Sequence, residues 1–319
     1  MLPMRIDVHA HHYDEAFANG MEAHGSNFRG GLTAPGAGVT LDQRLDLMDD
    51  AGIDAQVLCV GAQQPYLPDA SKATASAQFA NDYYKNIADT YTHRFAVFGC
   101  VPLPHVDQAI AEAGRCLDEL GLSGINLGCS IGDQPLDEPA FEPFWAEMNR
   151  RKAVIFLHPL GAGGRMLDNY GLTWMVGGCF EDTTAGLRLS MSGLASRHRD
   201  VQIIIPHLGG TLPFLWQRLE DSAQRARDSE GGASQEGPAA ALKRMYYDTV
   251  NETPAALRCT CDAVGASHVL LGTDWPYLAG PKFKRCVTYV EESNLPAADV
   301  NAILDENAQR LLNLPVPKR

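Results

Sequence analysis

The 319-residue chain is poor in basic charge. Its 26 lysines and arginines face 39 acidic residues, for a net charge of −13. Nucleic acid and anionic membranes both require a basic surface, so neither is an expected partner. A few arginines in a cleft can still receive an anionic small molecule. No apolar run reaches the roughly 18–20 residues of a membrane helix. The opening Met1-Leu-Pro-Met-Arg5 has no apolar core of the secretory type, so no leader is expected. A dinucleotide glycine fingerprint and a Walker A loop are also missing. The eight cysteines do not make a disulfide framework in a chain this long. They sit in apolar contexts such as Val57-Leu-Cys59-Val60, the pattern of reduced core thiols in a cytoplasmic protein. Cys259-Thr-Cys261 is too closely spaced for a zinc knuckle and lies in a helical pattern.

What is present is an alternation. The chain is 45% hydrophobic, and at this length about three-quarters of its unfolded surface can be buried. Eight apolar or β-branched runs stand out: Met4–His9, Ala55–Val60, Phe95–Val101, Gly124–Leu127, Ala153–His158, Val201–His207, Met245–Val250 and His268–Asp274. Runs such as Val154-Ile-Phe-Leu157 lack a polar face, as parallel strands buried on both sides do. Amphipathic stretches separate them. Thr40 and Gln43 form a capping box ahead of Leu41, Leu45 and Met48, with Gly52 as the stop. His105–Leu120, Pro139–Arg151, Thr211–Arg227, Thr253–Val264 and Ala297–Leu312 also read as helices. Eight strands alternating with helices predict an α/β fold, a (β/α)₈ TIM barrel in a single domain over residues 1–319. Loop insertions are expected near 13–39, 161–180 and 227–239. Within the first, Asn27–Val39 follows strand one and is either a lid or a plain loop.

The histidines carry the functional signal. His9 and His11 stand two apart on strand one, so both side chains face the same way. His158 ends strand five, His207 ends strand six, and Asp274 ends strand eight. The carboxyl ends of barrel strands converge on one mouth, where active sites of this fold lie. Three neutral imidazoles and one carboxylate suit a borderline divalent ion such as zinc, with manganese also accepted. Such an ion lowers the pKa of bound water to about 7. His207 fits an acid–base beside it, and Asp274 can ligate the ion and also relay a proton.

The pattern resembles the amidohydrolase superfamily, and within it the amidohydrolase-2 group of aminocarboxymuconate-semialdehyde and hydroxybenzoate decarboxylases. The stretches that carry the resemblance are Ile6-Asp-Val-His9-Ala-His11, Phe156-Leu-His158-Pro, Glu181-Asp-Thr-Thr184, Pro206-His207-Leu-Gly-Gly-Thr-Leu-Pro-Phe214, Tyr247-Asp-Thr-Val250 and Leu271-Gly-Thr-Asp274-Trp-Pro276. It implies His9, His11, His158 and Asp274 as metal ligands and His207 as the catalytic acid–base. Ile125-Asn-Leu-Gly offers no lysine for carbamylation, so one metal is implied. By the same resemblance Arg218 matches an arginine that grips a substrate carboxylate from a neighbouring subunit, and Arg44 lies in the helix where a second such arginine occurs. A homodimer is therefore expected. Trp174, Phe180, Trp275 and Tyr277 are candidates either for a planar-substrate pocket or for ordinary packing.

The expected activity is metal-dependent decarboxylation of an aromatic or unsaturated carboxylic acid, a small-molecule substrate. His207, or Asp274, would protonate the carbon that loses CO₂. A hydrolase or hydratase acting on a C–C, lactone or amide bond is the alternative, since a metal-bound hydroxide serves both.

Overall fold

Strand β1 (Ile6–Ala10) is buried at every position, as a strand with neighbours on all sides must be. The same is true of β2 (Ala55–Leu58), β4 (Gly124–Gly128) and β5 (Val154–His158). Together with β3 (Phe95–Gly99), β6 (Gln202–Ile205), β7 (Tyr246–Asp248) and β8 (Val269–Leu270) they form one sheet in chain order. Every neighbouring pair is parallel. The last strand returns to the first. Val8 donates its amide to the Leu271 carbonyl at 2.9 Å, and Asp274 donates its amide to the His9 carbonyl at 2.8 Å. A further parallel bridge joins Ala10 to Trp275. The result is a (β/α)₈ barrel in one domain. This computed structural model describes residues 4–161, 163–230 and 237–314.

Helices surround the barrel. The capping box places α2 (Leu41–Ala51) after the shorter α1 (Glu15–Ala23), and Gly52 closes α2 at φ 71°. Then come α3 (Ala70–Thr90), α4 (Val106–Gly114), α5 (Glu142–Arg151), α6 (Gly178–Met191), α7 (Leu194–Arg197) and α8 (Trp216–Glu230). The shell ends with α9 (Pro238–Leu242), α10 (Pro254–Val264), α11 (Pro281–Glu291), α12 (Ala297–Asn301) and α13 (Asn307–Leu312). Among the described residues no helix is long and apolar enough to cross a membrane. All eight cysteines carry free thiols, and six of them are buried.

Several details depart from the sequence reading. The 13–39 stretch is not a plain loop, because it contains α1 and a tight turn at Arg29–Thr33. Its first helix is fixed by Asp14, which accepts the Phe17 amide at 2.8 Å. The 161–180 stretch contains a wide helical turn (Thr173–Gly177) that leads directly into α6. Of the 227–239 stretch, residues 231–236 lie outside the described residues. The run Val201–His207 forms ladder only over Gln202–Ile205, since His207 and Leu208 adopt φ of 54° and 55°, which ends a strand. Helix α8 begins at Trp216 rather than Thr211.

Candidate active site

Strand β1 aims His9 at the barrel mouth and His11 follows just past its end, β5 ends on His158, and the turn after β8 supplies Asp274. One ligand atom from each of these four lies within 4.8 Å of all the others. Each imidazole has its Nδ1 tied to an acceptor. His9 donates to Asp248 Oδ2 at 2.7 Å, His11 to the Cys59 carbonyl at 3.0 Å, and His158 to the Pro159 carbonyl at 2.7 Å. These bonds fix the tautomer and leave every Nε2 as a lone pair.

The lone pairs then face an unusual partner. Nε2 of His9 and Nε2 of His11 each stand 3.2 Å from the same Oδ1 of Asp274. Nε2 of His9 and Nε2 of His158 are buried without a hydrogen-bond partner. Lone pairs converging on a carboxylate oxygen require a positive charge between them. Burial opposes protonation of His9, yet Asp248 and Asp274 outweigh it and push its imidazole up to about 10. A divalent ion at that spot would answer the same demand. Burial pushes His11 down and His158 well down, which suits neutral ligands. Burial works against the Asp274 charge, but His9 and His11 hold its carboxyl well below the usual range. The donor set and the orphaned nitrogens therefore fit one metal ion.

A second set of carboxylates holds this cluster in place. Asp248, fully buried, uses its other oxygen to accept the amides of His207 at 2.9 Å and Val250 at 3.1 Å. Asp7 accepts the amides of His9 and Thr273 on Oδ1, both at 3.0 Å. Its Oδ2 takes Thr273 Oγ1 and Gln56 Nε2, both at 2.6 Å. Asp7 thus ties the strand of His9 to the residue that precedes Asp274. Burial raises its carboxyl to about 6.

His207 sits beside the cluster, its ring 5.4 Å from that of His9. Its Nδ1 donates to Asp182 Oδ2 at 2.8 Å, and Asp182, from α6, is completely buried. Burial disfavours the imidazolium, but the Asp182 charge and hydrogen bond outweigh it and raise His207 above its ordinary value. Burial likewise raises Asp182. His207, Leu208 and Asp274 all hold φ near 55°, a left-handed conformation that costs non-glycine residues about 1–3 kcal/mol each. Gly210 makes the turn after His207 possible: a Cβ there would stand 2.1 Å from the Cys179 carbonyl oxygen.

A cavity of about 210 Å³ opens onto these groups, lined by His158, His207 and Asp274 together with Ala62, Pro159, Trp174, Gly178, Cys179 and Tyr277. Trp174 and Tyr277 therefore reach the pocket. Trp275 does not: it is 3% exposed and packs edge-on against Phe283 at 5.0 Å. Phe180 is half exposed and outside the lining. Arg44 also corrects its expectation. It is 1% exposed, donates through Nε to Gln56 at 2.7 Å and through Nη1 to the His11 carbonyl at 2.7 Å, and lies over the rings of Phe95 and Trp275. It braces the strand end from behind and does not face the cavity. Arg218 lies exposed on α8, away from the lining. Sequence reasoning assigned no role to Asp7, Asp182, Asp248 or Cys179; the stretches around Asp182 and Asp248 were the available signal.

A family model described as "Amidohydrolase" matches residues 6–314. The chain belongs to the amidohydrolase family. This amidohydrolase is 30% identical to 6-methylsalicylic acid decarboxylase acuB of Aspergillus aculeatus, over 97% of its own length and 96% of the relative's. It is 32% identical to the gamma-resorcylate decarboxylase of a Rhizobium species, over 86% and 87%. Its fold matches the crystal structure of a dihydroxybenzoic acid decarboxylase from Polaromonas, which holds bound manganese and 2-nitroresorcinol, with a TM-score of 0.82, 23% identity and coverage of 98% and 97%.

Proposed function

We propose that this amidohydrolase is a metal-dependent decarboxylase of an aromatic or unsaturated carboxylic acid. The observation that carries the reading is the clustering of one ligand atom each from three imidazoles and a carboxylate within 4.8 Å of one another, beside an acid–base pair on the same cavity. The decarboxylase names of relatives that span nearly the whole chain support it. His9, His11, His158 and Asp274 would hold one divalent ion. Three imidazoles favour zinc, and the manganese in the Polaromonas enzyme marks the alternative that elemental analysis decides.

When bound, the ion would hold the substrate's carboxylate or an adjacent hydroxyl and offset charge there. His207 delivers a proton from Nε2 to the carbon bearing the carboxylate. The carbon–carbon bond then breaks, CO₂ departs, and the released electron pair restores the conjugation of the ring. Asp182 holds the imidazole in register and stabilises its charged form before transfer. Trp174 and Tyr277 provide walls for a planar molecule.

The homodimer follows from the resemblance alone; in it a second copy of the chain would cover exposed apolar side chains such as Met166, Tyr170 and Phe214. Arg218 would serve a substrate only through such a second copy. Eight free thiols support a cytoplasmic setting.

The test follows CO₂ release against pH-stat acid release over a panel of hydroxybenzoates and lactones, with metal-loaded protein. CO₂ with a phenolic product supports decarboxylation. Acid release without CO₂ refutes it in favour of hydrolysis.

A further inference from the structure

Glu181 belongs neither to the candidate ligand set nor to the cavity lining, yet its side chain reaches the strand end that bears His158. It stands in the first turn of α6. Its Oε2 accepts the Leu160 amide at 2.8 Å, and its Oε1 accepts the Gly161 amide at 2.9 Å. Successive residues on a helix point about 100° apart. Glu181 therefore serves the chain just past β5, while its neighbour Asp182 serves His207 just past β6.

The Leu160 N–H and the Pro159 carbonyl are the two polar ends of one peptide unit. That unit is planar, so both ends turn together. The Pro159 carbonyl accepts Nδ1–H of His158 at 2.7 Å. Glu181, one peptide plane and the His158 imidazole thus form a continuous run of hydrogen bonds, in which each bond polarises the next. Rotation of the plane would break the bonds at both ends. Nδ1 would lose the acceptor that keeps its proton there, and Nε2 would no longer be the settled lone pair. The Gly161 bond acts on the cavity wall. Gly161 holds φ 77°, and a Cβ there would stand 2.8 Å from the Trp174 indole. Backbone and ring are in contact, so fixing the Gly161 amide fixes the surface on which Trp174 rests.

We infer that Glu181 is a positioning residue with two arms. Through the Pro159–Leu160 peptide it sets the tautomer and aim of His158, and through Gly161 it seats the Trp174 wall. The inference rests on the proposed metal centre and names the group that couples one of its ligands to the substrate wall.

The experiment compares the full-length wild type with Glu181→Gln, which keeps the shape but turns an amide NH₂ toward one of the two backbone N–H groups. Zinc alone is the probe, titrated in competition with a chelator. The variant should bind zinc more weakly on the order of tenfold. In the metal-free proteins, NMR of isotope-labelled histidine ring nitrogens reads the tautomer, with His158→Gln assigning the signal. The wild type should carry the proton on Nδ1, and the variant should populate both tautomers. Acrylamide should quench Trp174 emission more strongly in the variant, read as the difference between each protein and its Trp174→Phe counterpart. A residue that merely anchors α6 would lower the thermal midpoint and leave these readouts unmoved, and that result overturns the inference. Zinc affinity within about threefold of the wild type, or unchanged quenching of Trp174, overturns it as well. Should Glu181→Gln fail to fold, hydrogen exchange in the wild type decides: the clamped Leu160 and Gly161 amides should exchange slowly, and exchange as fast as that of an open loop refutes the clamp. None of these readouts requires turnover. If they come out as expected while no acid loses CO₂, the decarboxylase reading fails and the role of Glu181 stands.

Discussion

Replacing Asp182 by Asn isolates one electrostatic contribution to the proposed proton transfer. The amide is nearly the same size, and its carbonyl can still accept from His207 Nδ1, 2.8 Å away in the wild-type protein. What disappears is the negative charge. In the wild type that charge lifts the His207 imidazole above its ordinary value against the pull of burial. A hydrogen bond to a charged group is worth about 1.5–3 kcal/mol. With the charge gone, the His207 pKa should fall. The sign follows from the role. His207 acts as the acid, so activity is full below its pKa and lost as pH rises through it. A raised pKa extends activity upward, and Asp182→Asn should move the alkaline limb of kcat toward lower pH. Metal content should stay at the wild-type level, because Asp182 touches no candidate ligand in the set of His9, His11, His158 and Asp274. The assay is a kcat profile over pH for the two proteins at equal metal occupancy. An unmoved alkaline limb with reduced kcat would refute the argument and leave Asp182 a purely positional role.

Three further outcomes are expected. His207→Ala should retain the ion and lose on the order of 10²–10⁴ in kcat, measured by elemental analysis alongside CO₂ release; loss of the ion would make His207 a ligand. Asp274→Ala should lose both ion and activity, and a stoichiometric ion in that variant would contradict its place in the cluster. Asp248→Asn should weaken metal affinity by roughly 10–100-fold, because Asp248 sets the His9 tautomer and anchors the His207 amide; competition with a chelator reads the change, and an unchanged affinity would count against the tautomer argument.

The barrel was legible because its strands, buried on both faces, are written as short continuous apolar runs, such as Val154–Leu157. The candidate cluster was legible because its members fall at strand ends, where barrel geometry brings them together whatever their spacing in the chain. Supporting groups were harder to read. Asp182 lies on a helix and acts through a side chain aimed inward, and a single aspartate on a polar helix carries no direction in sequence. Arg44 was misplaced although its position was readable. Leu41, Arg44, Leu45 and Met48 share one helical stripe, so the side chain had to face the barrel wall. Helix α3 went unassigned because its packed face is built from Ala73, Ala77 and Ala80, whose small side chains give a faint periodic signal. Trp275 follows the inward-facing Asp274 and turns into the shell against Phe283, a reversal that aromatic character alone does not reveal.

The seam between the first and last strands sets an order of events during synthesis. His11 and Asp274 approach to 3.2 Å although 263 residues separate them in the chain. Asp7 and Thr273 are bonded across the same junction. A nascent chain on the ribosome can expose its first histidines early, but it has no complete coordination sphere until translation has passed Asp274 and the barrel has closed. Acquisition of an ion at this site would thereby be deferred to the finished polypeptide, since a truncated product that ends before the final strand would lack Asp274.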